Sequence, residues 1–256
     1  VFYKVKDLMK TSLSKINIIF YLFGIITLLL LWFILSIVES DFIVPSIPSV
    51  LIDTIKVLSI WKNLLLILFT IGKLILIVTI SFVISLLLAI VSYKSEKMKC
   101  YLSPVMAFIR TIPVASFVLI LLVLVGSKYS PIFITLFVLI PILYENIFTG
   151  FIQIEKDIVE ETKLISDINY KIIGKVFIPI TKKNIISSIL SSFGLGLKVL
   201  IMSEVIVQGS NTIGGIIATE KGSFFNMTRV FSWTLILIII ILIIEGFIRF
   251  CEKKMN

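Results

Sequence analysis

The sequence contains no histidine, and this absence removes several classes of function. Without imidazole there is no His-based metal site, no His general base and no Ser-His-Asp triad. Only two cysteines occur, Cys100 and Cys251, and no spacing pattern pairs them, so we predict neither a disulfide nor a metal site. The phosphate-loop pattern Gly-x-x-x-x-Gly-Lys-Ser/Thr is also missing. We therefore expect no cofactor, and any ATP that drives this protein must be hydrolysed by another chain.

Charged residues are scarce, at 15% of the chain against 59% apolar residues, whereas soluble proteins carry roughly 25% charged residues. A bilayer core about 30 Å thick requires about 20 apolar residues per helix. We predict an all-α integral membrane protein that forms a single transmembrane domain over residues 1–256. Its six predicted spans cover residues 16–38, 68–93, 105–126, 131–150, 185–207 and 230–248. After the first span, residues 63–250 would form a five-helix core.

The first span resembles a signal peptide only superficially. It contains no charge, and the residues after it, 36–42, are mostly bulky or acidic rather than small. A cleaved signal peptide has a shorter apolar stretch and a small-residue cleavage site. We therefore expect this span to be retained as a transmembrane helix.

The basic residues orient the predicted spans. With residues 1–15 in the cytoplasm, sixteen Lys and Arg lie in cytoplasmic segments and five lie outside, and three (Lys73, Arg110 and Lys198) fall within spans. Basic residues beside spans tend to stay on the cytoplasmic side. We therefore predict a protein of the cell membrane with both termini on the cytoplasmic side. The net charge of +9 then fits anchoring against anionic lipid headgroups and does not indicate nucleic-acid binding.

Prolines mark the irregular places of the predicted bundle. Pro113 near the start of span three and Pro141 inside span four should each kink a helix, because proline lacks a backbone donor and clashes with the preceding turn. Two prolines between Val44 and Val50 favour extended backbone before residues 51–58. Those residues are predicted to form a short helix on the membrane surface.

The cytoplasmic segment 152–184 carries two apolar stripes at helical spacing. The first stripe is Ile154, Ile158, Thr162 and Ile165, and the second is Ile168, Ile172 and Val176. Ser166-Asp167 supplies a break and an N-cap between them, and Pro179 ends or bends the second helix. We predict a helix-bend-helix protrusion suited to a cleft on a soluble partner. The alternative is a solvated loop whose charges only keep it soluble.

Charges within spans are costly and are expected to be paired or functional. Three basic residues and three acidic ones (Glu145, Glu204 and Glu245) lie at or near membrane depth, so they balance. We prefer a pair between Arg110 and Glu145, with substrate contact by Arg110 and Glu204 as the alternative. Lys198 and Glu204 are six residues apart and should face different neighbours, and Lys73 is expected to snorkel to the surface.

Small residues in span five are expected to serve packing. Gly194 and Gly196 should allow close helix contact, because a backbone without a side chain permits a close approach in lipid. A pore-lining role for these two glycines is the alternative.

The spacing of the cytoplasmic segment resembles the EAA loop of binding-protein-dependent ABC transporter permeases. Glu160 sits on the motif's Glu, Glu161 and Thr162 on its two small residues, Ser166 on its Gly, and Val176, Ile178 and Pro179 on its Ile-x-Leu-Pro. The chain departs from the motif at Ser166, which is less suited than Gly to a positive-φ bend. It also departs at Glu161, which adds bulk and charge at the docking face.

Further resemblance, to the nitrate, sulfonate and taurine branch of these permeases, covers most of the chain. It includes the proline-serine segment Val44–Val50 and the Pro104 to Pro113 region with Arg110-Thr111-Ile112-Pro113. It also includes the predicted helix Gly194–Glu204, which contains two glycines and ends in Glu, the turn Thr212–Ile216, and the acidic and basic pair Glu245 and Arg249.

The resemblance implies the permease subunit of an ABC importer, which is not itself an enzyme. Its implied partners are a second copy of the chain, two ATPase subunits that receive the coupling loop, an extracytoplasmic solute-binding protein and the lipid bilayer. The implied substrate is a small anion such as a sulfonate, taurine or nitrate, although near relatives carry thiamine or riboflavin precursors. An alternative of another class is an ion-gradient-driven secondary transporter that uses Glu145, Glu204 and Glu245 as proton or cation sites.

Overall fold

The computed structural model describes residues 20, 22–165, 169 and 172–254, and all regular structure within them is helical. The all-α prediction is therefore confirmed for this part of the chain. In chain order the helices are α1 Leu22–Val38, α2 Ile47–Ser59, α3 Trp61–Lys94, α4 Glu96–Thr111, α5 Val114–Ile152, α6 Lys156–Ile165, the π-helical turn Ile173–Phe177, α7 Ile178–Ile180, α8 Lys182–Ile206, α9 Ile213–Gly222 and α10 Met227–Lys254.

Within the described residues, four helices are long and apolar enough to cross a membrane. They are α3, α5, α8 and the Met227–Phe247 part of α10, and α1 is a shorter apolar helix. Residues 16–19 of the first predicted span lie outside the described part of the chain. The six predicted spans thus correspond to four long helices, the shorter α1 and one divided segment. The predicted short helix at residues 51–58 is present as α2.

The divided segment corrects the prediction for span three. Residues 105–126 do not form one helix, because α4 ends at Thr111 and α5 begins at Val114. Ile112 has extended dihedral angles, φ −69° and ψ 125°. A residue that precedes proline is driven from helical to extended backbone by a clash with the proline ring. Pro113 therefore breaks the helix completely, where the sequence analysis predicted a kink.

Gly126 turns the chain inside the long α5 segment. Its dihedral angles, φ 77° and ψ 170°, separate two helical stretches that run before and after it. This region of φ and ψ is essentially restricted to glycine. The other residues of α5, including Pro141, keep helical dihedral angles. The break at Gly126 falls where the sequence analysis ended span three, and it separates that span from predicted span four.

The centre of the bundle is formed by α3, α5 and α8. Its core includes Leu74 and Ile77 from α3, Leu139 from α5 and Leu200 from α8, all fully buried. Gly196 of α8 faces both other helices: a Cβ atom added there would lie 3.1 Å from the Cδ1 atoms of Leu139 and Leu74. This glycine has the packing role that the sequence analysis preferred, because it lets three backbones approach closely.

The two ends of the bundle differ. We call the end that carries residues 153–181, between α5 and α8, the loop end, and the opposite end the far end. At the far end the chain leaves α8 through a tight turn and enters the short helix α9, which packs against α8 and α10. The Thr212 hydroxyl caps α9 by accepting a hydrogen bond from the Gly215 N–H at 3.0 Å.

We predict that Gly126→Ala lowers the free energy of unfolding by about 1–3 kcal/mol, because alanine cannot adopt this backbone conformation without strain. The measurement is thermal unfolding of the purified protein. Gly72→Ala in α3 is the matched control, since neither glycine has an atom within 4 Å of an added Cβ but Gly72 lies in regular helix. An equal effect of the two substitutions would contradict the assigned turn.

Candidate translocation path and coupling segment

A buried ion pair joins α3 to α8 near the far end. The Lys73 Nζ atom lies 2.8 Å from Oε1 of Glu204, whose side chain is fully buried. The other carboxylate oxygen of Glu204 accepts a hydrogen bond from the Gly214 N–H at 3.3 Å, in the first turn of α9. Lys73 therefore does not simply snorkel to the surface as expected, because Glu204 holds its ammonium group.

Glycine makes this arrangement of α9 possible. A Cβ atom added at Gly214 would lie 2.4 Å from the Glu204 Cβ and 2.7 Å from the Ile201 carbonyl oxygen. At Gly215 an added Cβ would lie 1.9 Å from the Gly209 carbonyl oxygen. Any larger residue would push α9 off α8 and separate the Gly214 N–H from Glu204.

A second ion pair, between Arg110 of α4 and Glu145 of α5, is the pair that the sequence analysis preferred. Both side chains are well exposed, at 40% and 47%. The pair lies between two cavities, and Glu145 lines both of them. The first cavity, of about 240 Å³, is also lined by Lys99, Ser103 and Arg110 of α4. The second cavity, of about 420 Å³, lies between α5 and α8.

The larger of these cavities opens onto a polar face that two apolar helices share. Asn146 and Thr149 of α5 line it together with side chains of α8, namely Asn184, Ser187, Ser188 and Ser191. All of these except Ser188 are exposed in the single chain. Polar side chains do not favour contact with lipid tails. This surface, which we call the polar face, therefore indicates a partner or water, and Lys198 continues it along α8.

The sequence signal for the polar face was present but was not used. Asn184, Ser187, Ser188 and Ser191 recur at spacings of three and four residues in an otherwise apolar segment, which places them on one side of a helix. The ion pair between Arg229 of α10 and Asp53 of α2, with 3.0 Å between Nε and Oδ2, was also missed. Nothing in the local sequence connects these two residues, which are far apart along the chain.

Residues 152–184 are the candidate coupling segment, and their first helix, α6, is amphipathic as the sequence analysis predicted. In α6 the residues Glu160 and Glu161 are exposed, whereas Ile158 and Thr162 are half-buried. The Ile154 side chain before α6 is buried. The predicted bend at Ser166-Asp167 lies outside the described residues, as does Ile168. After the gap, Asn169 Oδ1 accepts a hydrogen bond from the Ile172 N–H at 3.0 Å.

The second half of the coupling segment buries a different stripe from the one predicted. Ile172 and Val176 are only half-buried, whereas Ile173 and Phe177 are fully buried. These two residues bound the π-helical turn, in which each backbone turn contains about one residue more than in an α-helix. Of the remaining motif residues, Ile178 is half-buried and Pro179 is exposed.

An aromatic cluster fixes this turn to the bundle. The ring of Tyr93, at the end of α3, makes edge-to-face contacts with Phe177 of the π-helical turn, at 5.2 Å, and with Phe151 of α5, at 5.9 Å. Phe151 and Phe177 are both almost fully buried. The coupling segment therefore contacts α3 and α5 through side chains, in addition to its covalent links to α5 and α8.

Within the described residues, no group of three or more His, Cys, Asp or Glu side chains is placed to hold a metal ion. Cys100, the cysteine whose side chain the structure describes, is exposed and free.

These features define a multi-pass helical membrane protein with an exposed polar face and an amphipathic segment at one end. Residues 81–256 match the family described as binding-protein-dependent transport system inner membrane component, and the chain belongs to this family of ABC importer permeases. The family is the membrane component of the transporter and not its ATPase. No curated protein matches the chain.

A solved structure has a similar fold. It is described as inward-facing conformations of the MetNI methionine ABC transporter, and it aligns with a TM-score of 0.62 and 16% identity over 73% of this chain and 90% of that chain. At this identity the similarity concerns the fold alone.

We predict that Lys73→Met destabilises the protein by about 3 kcal/mol, because the Glu204 carboxylate is left buried without its countercharge. The double variant Lys73→Met/Glu204→Gln should recover most of the loss, since a neutral amide can still accept the Gly214 N–H. Thermal unfolding in detergent measures both variants, and Lys128→Met, an exposed lysine at the far end, is the control. Equal melting temperatures for the single and double variants would argue against the buried pair.

Proposed function

We propose that this chain forms the translocation pathway of an ABC importer as a homodimer, with the polar face turned toward the second copy. The observation that carries the proposal is the polar face itself, because α5 and α8 are otherwise apolar helices that lipid would surround. Two copies that meet there would enclose the polar side chains around a central path and leave the apolar surfaces to the bilayer. The length of α8, 25 residues or about 37 Å, suits a helix that lines the whole path.

The coupling segment is proposed to dock into a groove of an ATPase subunit, one for each copy of the chain. The motif residues support this role, since Glu160, Glu161 and Pro179 are exposed while Phe177 is buried in the aromatic cluster. One side of the segment is thus available to a partner while the other is held by the bundle. The distribution of basic residues supports a cytoplasmic location for the segment.

Transport would proceed by alternating access. Closure of the two ATPase subunits on ATP draws the two coupling segments together, and the aromatic cluster passes that movement to α3 and α5. The pathway then opens to an extracytoplasmic solute-binding protein, which delivers the solute and sets most of the selectivity. The far end moves as a unit in this scheme, because the pair of Lys73 and Glu204 ties α3, α8 and α9 together.

We propose a small anion, such as a sulfonate, taurine or nitrate, as the solute. The support is the resemblance of segments such as Arg110–Pro113 and Gly194–Glu204 to that branch of the family. The structural relative is described as a methionine transporter, and transport of a thiamine or riboflavin precursor is the alternative. The experiment that tests the proposal is solute uptake into proteoliposomes that contain the permease, its ATPase and its binding protein. Uptake down a gradient without the ATPase would support a secondary transporter instead.

We predict that Glu160→Gln uncouples ATP hydrolysis from transport. A hydrogen bond to a charged group contributes about 1.5–3 kcal/mol, so its loss at the docking surface should reduce solute taken up per ATP hydrolysed about tenfold. The measurement is uptake and phosphate release in the same proteoliposomes. The control is Glu96→Gln, because Glu96 is an exposed carboxylate outside the coupling segment, at the start of α4. Unchanged coupling in Glu160→Gln would contradict the docking role.

A second prediction concerns the aromatic cluster. Phe177→Leu keeps an apolar side chain at this site but removes the edge-to-face contact with Tyr93, which is worth about 0.5–1.5 kcal/mol. We expect uptake per ATP to fall about threefold while the importer still assembles. Phe117→Leu is the matched control, because Phe117 makes a similar edge-to-face contact with Phe137, at 5.3 Å, away from the coupling segment. If both substitutions lower uptake per ATP equally, the aromatic cluster does not have the proposed role of passing movement to α3 and α5.

A further inference from the structure

Lys198 places a cation on the polar face, deep within the bundle. It follows Ser191 by seven residues, or two helical turns, and therefore lies on the same side of α8. It is sixteen residues from Lys182, where α8 begins, which corresponds to about 24 Å along a helix of about 37 Å. Its side chain is exposed in the single chain. A charge at this depth is costly unless it meets water or an opposite charge.

Among the described residues, Lys198 differs from Lys73 and Arg110 in having no carboxylate paired with it. Lys73 is neutralised by Glu204 and Arg110 by Glu145. In the described part of the chain no carboxylate lies within 4.0 Å of the Lys198 ammonium. Glu245 of α10 approaches α8 one turn away, 3.4 Å from the Cβ position of Gly194, and it makes an interaction of its own.

The charge of Lys198 suits a small anion. Ser187 and Ser191 precede it on the same side of α8 and keep that side polar, and the Ser191 hydroxyl itself donates a hydrogen bond to the Ser187 carbonyl oxygen at 3.0 Å. An ammonium group adds three donors and a positive charge. Bonds between charged partners are stronger than neutral ones, and more so where water is sparse. Because an ammonium is a compact, strongly hydrated charge without the fixed fork of arginine, it holds an oxyanion without locking it in place.

We propose that Lys198 is the anion-binding group of the translocation path and contacts the sulfonate, carboxylate or inorganic oxyanion of the solute as it passes. The inference rests on the proposed function and adds the residue that makes the path selective for anions. In the homodimer each copy contributes one Lys198, so the path carries two such cations. A neutral or cationic solute gains nothing from this site.

The test measures the electrostatic potential of the polar face directly. Cys100 and Cys251 are replaced by serine, Ser191→Cys supplies a thiol, and the complete importer is reconstituted in phosphatidylcholine vesicles. The rate of thiol modification is measured with two water-soluble methanethiosulfonates of similar size, the anionic sulfonatoethyl reagent and the cationic trimethylammonioethyl reagent. The quantity compared is the ratio of the anionic to the cationic rate, because a change in shape or access alters both rates together.

We expect Lys198→Gln to lower this ratio about threefold, which is the effect of removing one charge about 11 Å from the thiol in a water-filled path. Lys198→Arg should keep the ratio. The matched control Lys182→Gln, on the opposite side of α8, should also leave it unchanged.

Two results would overturn the proposal. A ratio that does not respond to Lys198→Gln means that Lys198 adds no positive potential to the path. A thiol at position 191 that reacts with neither reagent means that the polar face is sealed against lipid or against the second copy. The first result concerns the anion site alone, because a thiol that reacts at position 191 shows that the polar face is open to water. The second result contradicts the proposed path as well, so the two failures are distinguishable.

Discussion

The pair of Lys73 and Glu204 is the contact on which the far end of the molecule depends. A fully buried carboxylate is tolerated in an apolar bundle only with a countercharge and hydrogen-bond donors around it. Lys73 supplies the charge from α3, and the Gly214 N–H supplies a donor from α9. Because Glu204 itself lies on α8, three helices are fixed relative to one another. The glycines at 214 and 215 follow from this requirement, since any side chain there would hold α9 away.

The two ends of the bundle are therefore held by different kinds of contact. At the far end the contacts are the ion pair of Lys73 and Glu204 and the close approach of the α9 backbone to α8. Both kinds of contact lose most of their energy when the helices shift slightly relative to one another. At the loop end, aromatic rings and aliphatic side chains hold the coupling segment, and such contacts tolerate sliding and tilting better than a buried ion pair does. In the proposed transport cycle, this difference would let the loop end move while the far end stays fixed.

The sequence predicts the parts that depend on local rules. The apolar composition predicts a helical membrane protein, the spacing from Glu160 to Pro179 predicts the family, and charge balance within spans predicts the pair of Arg110 and Glu145. The sequence does not predict contacts between distant segments, such as Lys73 with Glu204. The turn at Gly126 falls at the predicted end of span three. The sequence misplaces the buried stripe of the coupling segment, because the π-helical turn buries Ile173 and Phe177 instead of Ile172 and Val176. Phe177 packs against Tyr93 of α3, a distant contact that local spacing does not reveal.

The departures of this chain from the coupling motif also have a physical meaning. Glu161 stands where the motif has a small residue, and it is exposed beside Glu160 on α6, with Asp157 one turn earlier. Three carboxylates on one short helix repel one another unless cations lie opposite them. The two lysines of α6, Lys156 and Lys163, offset two of these three charges, so one negative charge is left over. In the proposed docking, a basic side chain of the ATPase groove opposite Glu161 would offset this charge, and an apolar groove would be disfavoured.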